Sequence, residues 1–492
     1  MRSLVFLLAG ACAVAPLLLS ACAGDDAASS DTAGGTGGGG TGGNGTGGNG
    51  MGGTGTGGGG AGGGSAGPCG AIETFADGLA PSQELHVATS GSDAGGDGST
   101  GNPFATIEHA AGLATPGTAI RVHAGTYAGD MYIDGLAGQA GAPIWIGGAP
   151  GEERPVIEGG GEAIHLTRAS YVVLHDLEVR GASANGINAD DGADYANPEA
   201  SHHLLFQRLY IHDIGAGGNE DCLKLSGINQ FFVLDSEITA CGDGGSAVDH
   251  VGCHQGVIAR SSFHDLGSGA VQCKGGSEDI DVRWNRFVNA GQRPVNMGGS
   301  TGFEFFRPPL SASSPNAEAR NIRVLSNVFV GGDCAAAFVG CVGCELAANT
   351  IVDPGQWFFR VLQETVTGGG FEFLPAGQGV VRDNLFYFDR GLLSGEDINV
   401  GAGTDAGSFT LANNLWYAHD DPAASAPATP PAAETGAVIG QDPGLADPAA
   451  GDHHIGASSP AAGQGVAIPG LAGDIDGVCY GTPPSIGAYE VP

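Results

Sequence analysis

The chain has 492 residues and a formal net charge of −35 at pH 7, from 18 Lys and Arg against 53 Asp and Glu. This balance excludes nucleic-acid binding, because no basic stripe exists to displace counterions from phosphates. The chain is also long for one compact core, yet ordinary for an architecture that grows in one dimension by repetition.

In chain order, the first element is the apolar run 4–19 behind Arg2. It is short for a membrane span and right for a signal-peptide core. It ends Leu19-Ser20-Ala21-Cys22, which resembles a bacterial lipoprotein signal. The resemblance implies that residues 1–22 are a signal peptide and that Cys22 becomes the lipid-bearing N-terminus. Residues 23–83 read as a flexible linker rich in Gly, Thr, Ser and Asn, a composition that cannot bury enough apolar surface to offset ordering entropy. Residues 84–490 are the folded domain. No later run reaches the roughly 18–20 apolar residues that span a bilayer. The expected location is therefore outside the cytoplasm, at the bacterial outer membrane or cell surface, with membrane contact through the lipid anchor only. A monomer is expected.

Nine of the 11 cysteines remain once Cys12 leaves with the signal and Cys22 takes lipid. An exported chain meets an oxidising compartment, so disulfides are expected, and an odd count leaves at least one thiol unpaired. Cys341-x-x-Cys344 beside Cys334 reads as disulfide or buried thiols rather than zinc, since no second pair matches it.

The domain opens with the run Leu85-His86-Val87-Ala88-Thr89 and a Gly/Asp turn cluster. Asn102 then reads as a helix N-cap with Pro103 at the first helical position. Pro116-Gly117 ends that helix, and the run 120–127 is the next strand. From about residue 170 a short β-rich run, a polar residue and a large apolar one recur. The best copies are Asn285-Arg286-Phe287, Asn327-Val328-Phe329, Asn349-Thr350-Ile351, Asn384-Leu385-Phe386 and Asn414-Leu415-Trp416, with Asp176, Ser236 and Ser261 as weaker members of the Asn column. The shortest spacings are 25 (236 to 261), 24 (261 to 285) and 22 (327 to 349). A period of about 20–30 residues without helical periodicity predicts an all-β, single-stranded parallel β-helix. The Asn column reads as a structural ladder at left-handed turns.

The helix-bearing start, together with Asp442-Pro443-Gly444-Leu445, Gly473-Asp474-Ile475-Asp476-Gly477 and Ile486-Gly487-Ala488-Tyr489-Glu490 near the end, resembles bacterial right-handed parallel β-helix proteins of the pectate-lyase-like superfamily. That resemblance implies an N-terminal helix cap and a C-terminal closing segment. It leaves the reaction open, because the group holds lyases, hydrolases, epimerases and non-catalytic proteins.

Chemistry is expected in residues 215–309. Both lysines of the chain, Lys224 and Lys274, lie there with five arginines, and so do two Gly-Gly-Ser phrases, at 275 and 298. Lys224, Asp249 and Lys274 are spaced by 25 and 25, so a 25-residue coil would set Asp249 between the lysines. Val271-Gln272-Cys273-Lys274-Gly275-Gly276 followed by Gln292-Arg293 is similar to the Lys-then-Arg arrangement of chondroitinase-B/alginate-lyase type polysaccharide lyases. The resemblance implies Lys274 as a base and Arg293 as its charge-stabilising partner. It departs after Arg293, where Pro294-Val295 stands in place of His-Gly. Lys224 is a further catalytic candidate. Arg283, Arg307 and Gln272 are candidates for holding substrate, and Glu220, Asp221 and Asp249 for holding a metal, with calcium the candidate cofactor. Asp190-Asp191-Gly192-Ala193-Asp194 reads as a solvated turn. The expected partner is an anionic, uronate-bearing polysaccharide, bound and cleaved by β-elimination. The alternatives are a non-catalytic carbohydrate-binding or adhesive surface protein and a β-helix glycoside hydrolase or epimerase.

Overall fold

The computed structural model describes residues 69–491 except residue 216. The expected signal peptide, Cys22 and the linker as far as residue 68 lie outside the described residues. Thirty-eight strands make three long parallel sheets, of 14, 12 and 10 strands, and one short antiparallel pair. Neighbours in each long sheet come from successive coils, so this is a parallel β-helix with three faces. Right-handed crossovers are the hand that parallel strands take.

The first coil is covered by α1, Ile107–Leu113, which buries Ile107, Ala110 and Ala111. Its N-cap is Thr106, whose side chain accepts from the His109 N–H, and not the expected Asn102. Asp93 is the reason: its carboxylate accepts from the Ala105 and Thr106 N–H groups and the Thr106 hydroxyl. Phe104 meanwhile stays extended against Val87. The expected linker also ends earlier than residue 83. Cys69 is disulfide-bonded to Cys479, and Phe75 packs edge-on against Tyr171 and His203.

The interior is a set of apolar columns. Phe263, Phe287 and Phe329 stack on successive coils at 5.1 and 4.7 Å, and Phe386 lies 4.0 Å from Trp416. Volumes compensate between coils. Phe231 pairs in register with Gly256, where an added Cβ would sit 2.1 Å from the ring, so only glycine fits beneath it.

The Asn ladder is present and fully buried. Asn285, Asn327, Asn349 and Asn384 each take the next asparagine's carbonyl at both backbone and side-chain N–H, and Glu434 closes the run below Asn414. Ser236 and Ser261 extend it upward. The left-handed residues, however, are those just before the column: Asp235, Arg260, Trp284, Ser326, Ala348, Asp383 and Asn413, all at φ between 52° and 60°. Asp176 belongs to this second column and not to the Asn column. A non-glycine residue there costs roughly 1–2 kcal/mol, offset in part by cross-coil pairs such as Arg208–Asp176 and Arg260–Asp235.

The C-terminal segment closes the molecule along its flank. Trp284 donates to the Gly473 carbonyl, Arg286 to the Tyr489 hydroxyl, and the Ala488 N–H to Thr350. Six of the nine described cysteines pair, as Cys69–Cys479, Cys222–Cys241 and Cys341–Cys344. Cys253, Cys273 and Cys334 are buried thiols.

Candidate functional site

The ten-stranded sheet carries Lys224, Asp249, Gln272 and Lys274. Its eight inner strands are, in chain order, β1 (Ile164–Thr167), β2 (Ile187–Asp190), β3 (Leu223–Ser226), β4 (Ser246–Val251), β5 (Gly269–Lys274), β6 (Val295–Gly298), β7 (Ala336–Val339) and β8 (Phe359–Leu362), between end strands Met131–Asp134 and Ile398–Val400. Alternate residues of each strand turn Ile, Leu and Val into the core, for example Ile187, Leu223, Val248, Val271 and Val295. The residue after each of these faces outward. In register these outward residues are His165, Asn188, Lys224, Asp249, Gln272, Asn296, Ala337 and Arg360. Successive members stand one strand spacing apart, about 4.8 Å.

Lys224 and Asp249 are thus level, as their spacing predicts. The coil from β4 to β5 is shorter: Asp249 is level with Gln272, and Lys274 is level with Val251. Lys274 stands two residues along from the expected position and therefore on the same face. The Lys224 Nζ lies 2.8 Å from Asp221 Oδ2 and 2.7 Å from Asp249 Oδ2. The Lys274 Nζ lies 3.7 Å from Asp249 Oδ1. Asp249 does sit between the two lysines.

This cluster is almost closed to solvent: Asp221 is 3 % exposed, Asp249 2 % and Lys274 8 %. The Ser246 N–H holds the other oxygen of Asp221 at 2.8 Å, and the Cys222–Cys241 disulfide pins the chain beside it. Burial alone would disfavour the Lys224 ammonium, but Asp249 and Asp221 more than reverse this and hold its proton firmly. Burial acts against the Asp249 carboxylate too, yet Lys224 and Lys274 bring it down to about 2. Burial, reinforced by the Asp249 charge, raises Asp221. Lys224 therefore acts as a fixed internal cation, which does not suit the base role considered for it.

The same arrangement bears on the metal candidates. Asp221 and Asp249 face an ammonium, while Glu220 is turned against Gly215, Gly218 and Gly242. Among the described residues, no group of three or more His, Cys, Asp or Glu is placed to hold a metal ion. The donor set as it stands matches Lys224 and does not fit calcium, and no chemical step is derived through calcium.

Lys274 and Arg293 do not form a pair. Lys274 ends β5, one residue past Cys273, which is level with Met297. Arg293 precedes β6 by two residues, five positions back along the strand direction, or about 16 Å at ~3.3 Å per residue. It bonds Glu364 at 2.8 Å. The expectation that an arginine neighbour tunes Lys274 fails on this register, and the charge beside Lys274 is a carboxylate instead.

Two of the three substrate-holding candidates are also placed elsewhere. Arg283 lies on the 14-stranded sheet, stacked on Trp284 at 4.6 Å and donating to the Gly470 carbonyl. Arg307 is a buried clamp: it binds both oxygens of Asp191, at 2.7 and 3.2 Å, and covers the Tyr195 ring at 4.3 Å. The expected solvated turn at 190–194 is accordingly half of a buried ion pair. Gln272 is on the face, beside Ser246. Gly299 approaches it so closely that a Cβ there would fall 2.8 Å from Gln272 Nε2 and 3.3 Å from Lys274 Cβ. The two Gly-Gly-Ser phrases are not equivalent coil positions. They are 23 residues apart, whereas Val271 pairs with Val295, 24 residues on.

Glu318 fastens the 299–318 insertion beside this cluster, accepting from the Gly275 N–H and from Thr301 and Thr365. Of the aromatic residues in the inserted regions, Phe306, Phe358 and Phe359 are core. Phe303 packs on Phe371 and Phe373 in the insertion.

His165, two coils before Lys224, was not singled out by sequence. Its ring bonds Asp190 at 2.6 Å and Glu162 at 2.9 Å. Burial alone would lower it, but those hydrogen bonds raise it to about 9. Glu162 is in turn bonded by Asn185 and Asn188. The signal available in the sequence was position: His165 stands 23 residues before Asn188. Among the described residues, two buried acceptors on this sheet, Asp249 Oδ1 and Asn296 Oδ1, have no hydrogen-bond donor, though Lys274 Nζ stands 3.7 Å from the first. His250 faces inward, its ring tilted against Phe231 at 5.0 Å and brought down to about 4 by burial.

No family model and no curated protein matches the chain. Solved structures that it resembles include pectate lyase Pel9A (15% identical, 84% of this chain and 98% of that one, TM-score 0.49). Others are a rhamnogalacturonan lyase (16%, 68% and 87%, 0.46) and an alginate lyase from Paenibacillus sp. (15%, 66% and 97%, 0.41).

Proposed function

We propose that the ten-stranded face binds an anionic, uronate-bearing polysaccharide and that Lys274 cleaves it by β-elimination. The observation that carries this reading is the outward ladder in which Asp249 is flanked by both lysines of the chain. An in-register row of polar groups suits an extended polymer. Asp249 is answered by Lys224 at 2.7 Å and by Lys274 at 3.7 Å.

As a neutral amine, Lys274 would take the proton from the carbon beside the uronate carboxylate. The electron pair of that C–H bond forms the C=C bond as the C–O bond to the leaving sugar breaks. The ammonium so formed returns the proton to the leaving oxygen. Mixed with a panel of uronate polysaccharides, the protein should generate absorbance near the ultraviolet edge, and Lys274→Ala should abolish it with the fold intact. Full activity in Lys274→Ala would sink the assignment. We also propose export and tethering through Cys22.

A second reading is favoured by one observation. The Lys224 ammonium is ion-paired to both Asp221 and Asp249, as it would be in a purely structural cluster of a non-catalytic glycan-binding protein. Binding without cleavage would support it, and reducing ends released without unsaturation would support a hydrolase.

A further inference from the structure

The outward ladder changes character at its C-terminal end. Beyond Asn296 it passes through Ala337 on β7 to Arg360 on β8. The Arg360 Cζ sits over the Trp357 ring, 4.2 Å from the centroid, and its Nε donates to Asn399 at 3.0 Å. Among the described residues its guanidinium forms no ion pair with a carboxylate within 4.0 Å. Burial, and then the neighbouring Arg293, disfavour its charge; Glu364 and Asp333 are the acidic groups that oppose this, together with the buried Cys334 thiol. Glu364 is engaged by Arg293. Asp333 is itself shifted toward its neutral form by burial. By the register of Val295 with Ala336 and Phe359, Arg293 stands level with Trp357 two coils away, so the Arg360 guanidinium over Trp357 shares one partly buried patch with Arg293 and its partner Glu364.

Holding two such cations together costs free energy unless an anion completes the site. A planar guanidinium fixed on an indole is preorganised to take a carboxylate through two parallel N–H donors. We propose that Arg360 and Arg293, over Trp357, form an anion subsite that takes the carboxylate of one sugar of the bound polymer. Arg360 lies three coils from Lys274, about 14 Å at one strand spacing per coil, and Arg293 about 16 Å from it along the strand direction, so the pair holds substrate and takes no part in bond breaking. This gives Arg293 a role on the face that its distance from Lys274 denies it as a partner in catalysis. The inference rests on the reading that this face binds a uronate polymer, and adds where a carboxylate is read.

The test is native gel retardation of the full chain in gels cast with polygalacturonate, with alginate, or with fully methyl-esterified polygalacturonate. Wild type should be retarded by an acidic polymer, less so at higher salt, and far less by the ester. Arg360→Gln should weaken binding to that acidic polymer at least tenfold, with Arg360→Lys in between and melting temperatures unchanged. Equal retardation of Arg360→Gln and wild type, within twofold, overturns the subsite while leaving the glycan-binding reading standing. So does an equal loss on the neutral ester, which would show that no charge is read. Failure of wild type to bind either acidic polymer overturns the glycan-binding reading itself, and the subsite with it.

Discussion

Lys224 offers the sharpest test of how this face is built. Its ammonium touches Asp221 and Asp249 at 2.8 and 2.7 Å, and both carboxylates are at least 97 % shielded from solvent. Replacing it with methionine keeps the stem and removes the charge, leaving two buried carboxylates with only the more distant Lys274 Nζ. Breaking a buried pair by removing one partner costs about 3–5 kcal/mol. The sign with pH follows from the carboxylates. Lys224 lowers Asp249 to about 2, so that group contributes stability above its unfolded pKa near 4, lost as pH falls through about 2. In Lys224→Met the folded-state values of both carboxylates rise, so the penalty is largest at neutral pH and shrinks toward pH 4 as they take up protons. Urea unfolding followed by circular dichroism at pH 7 and pH 4 measures it. A penalty under about 1 kcal/mol at pH 7, or one that does not change with pH, refutes the internal-cation argument. Asp249→Asn in the Lys224→Met background should recover part of the loss.

His165 should stabilise the fold in its charged form. Its folded value is raised to about 9, so its contribution is complete below about pH 6.5 and lost as pH rises through about 9. His165→Gln should lower the melting temperature at pH 6 and much less at pH 10, and an equal drop at both would contradict the Glu162–His165–Asp190 arrangement. Asn349→Ala should cost about 2–4 kcal/mol, because it orphans the Asn327 side-chain and backbone donors and the Val324 carbonyl deep in the ladder. Asn349→Asp should be at least as damaging, since a carboxylate lacks the amide donor, and a mild effect of either in urea unfolding would remove the ladder's structural role.

Much of the fold was legible because a solenoid repeats its reasons. Asn285, Asn327, Asn349, Asn384 and Asn414 announce one coil position five times, and Phe287, Phe329, Ile351, Phe386 and Trp416 announce the core column beside it. Local pattern failed where a distant group decided the outcome. The helix start moved from Asn102 to Thr106 because Asp93 gathers the intervening N–H groups. The left-handed position fell one residue before the asparagines, where Arg, Trp and Ala also occur, so residue type alone could not mark it. The ordering of Phe75 depends on Tyr171 and His203, a hundred residues away.

The site was legible only as far as register could be counted. Lys224 and Asp249 were matched by a 25-residue step, and the coils agree. One coil later the step shortens to 23, and Lys274 moves two residues along its strand. A slip of one would have turned it into the core, whereas a slip of two keeps it on the face and within reach of Asp249. The same counting separates Lys274 from Arg293, since five residues of strand outrun what a similarity in the order of Lys and Arg can promise. Arg307 shows the other limit. Its partner Asp191 is 116 residues away, and no coil arithmetic connects an insertion to a loop. On a β-helix, then, the outward ladder is the unit in which function is written: a residue belongs to the site when its column places it there, as with His165 and Arg360, whatever its type suggests.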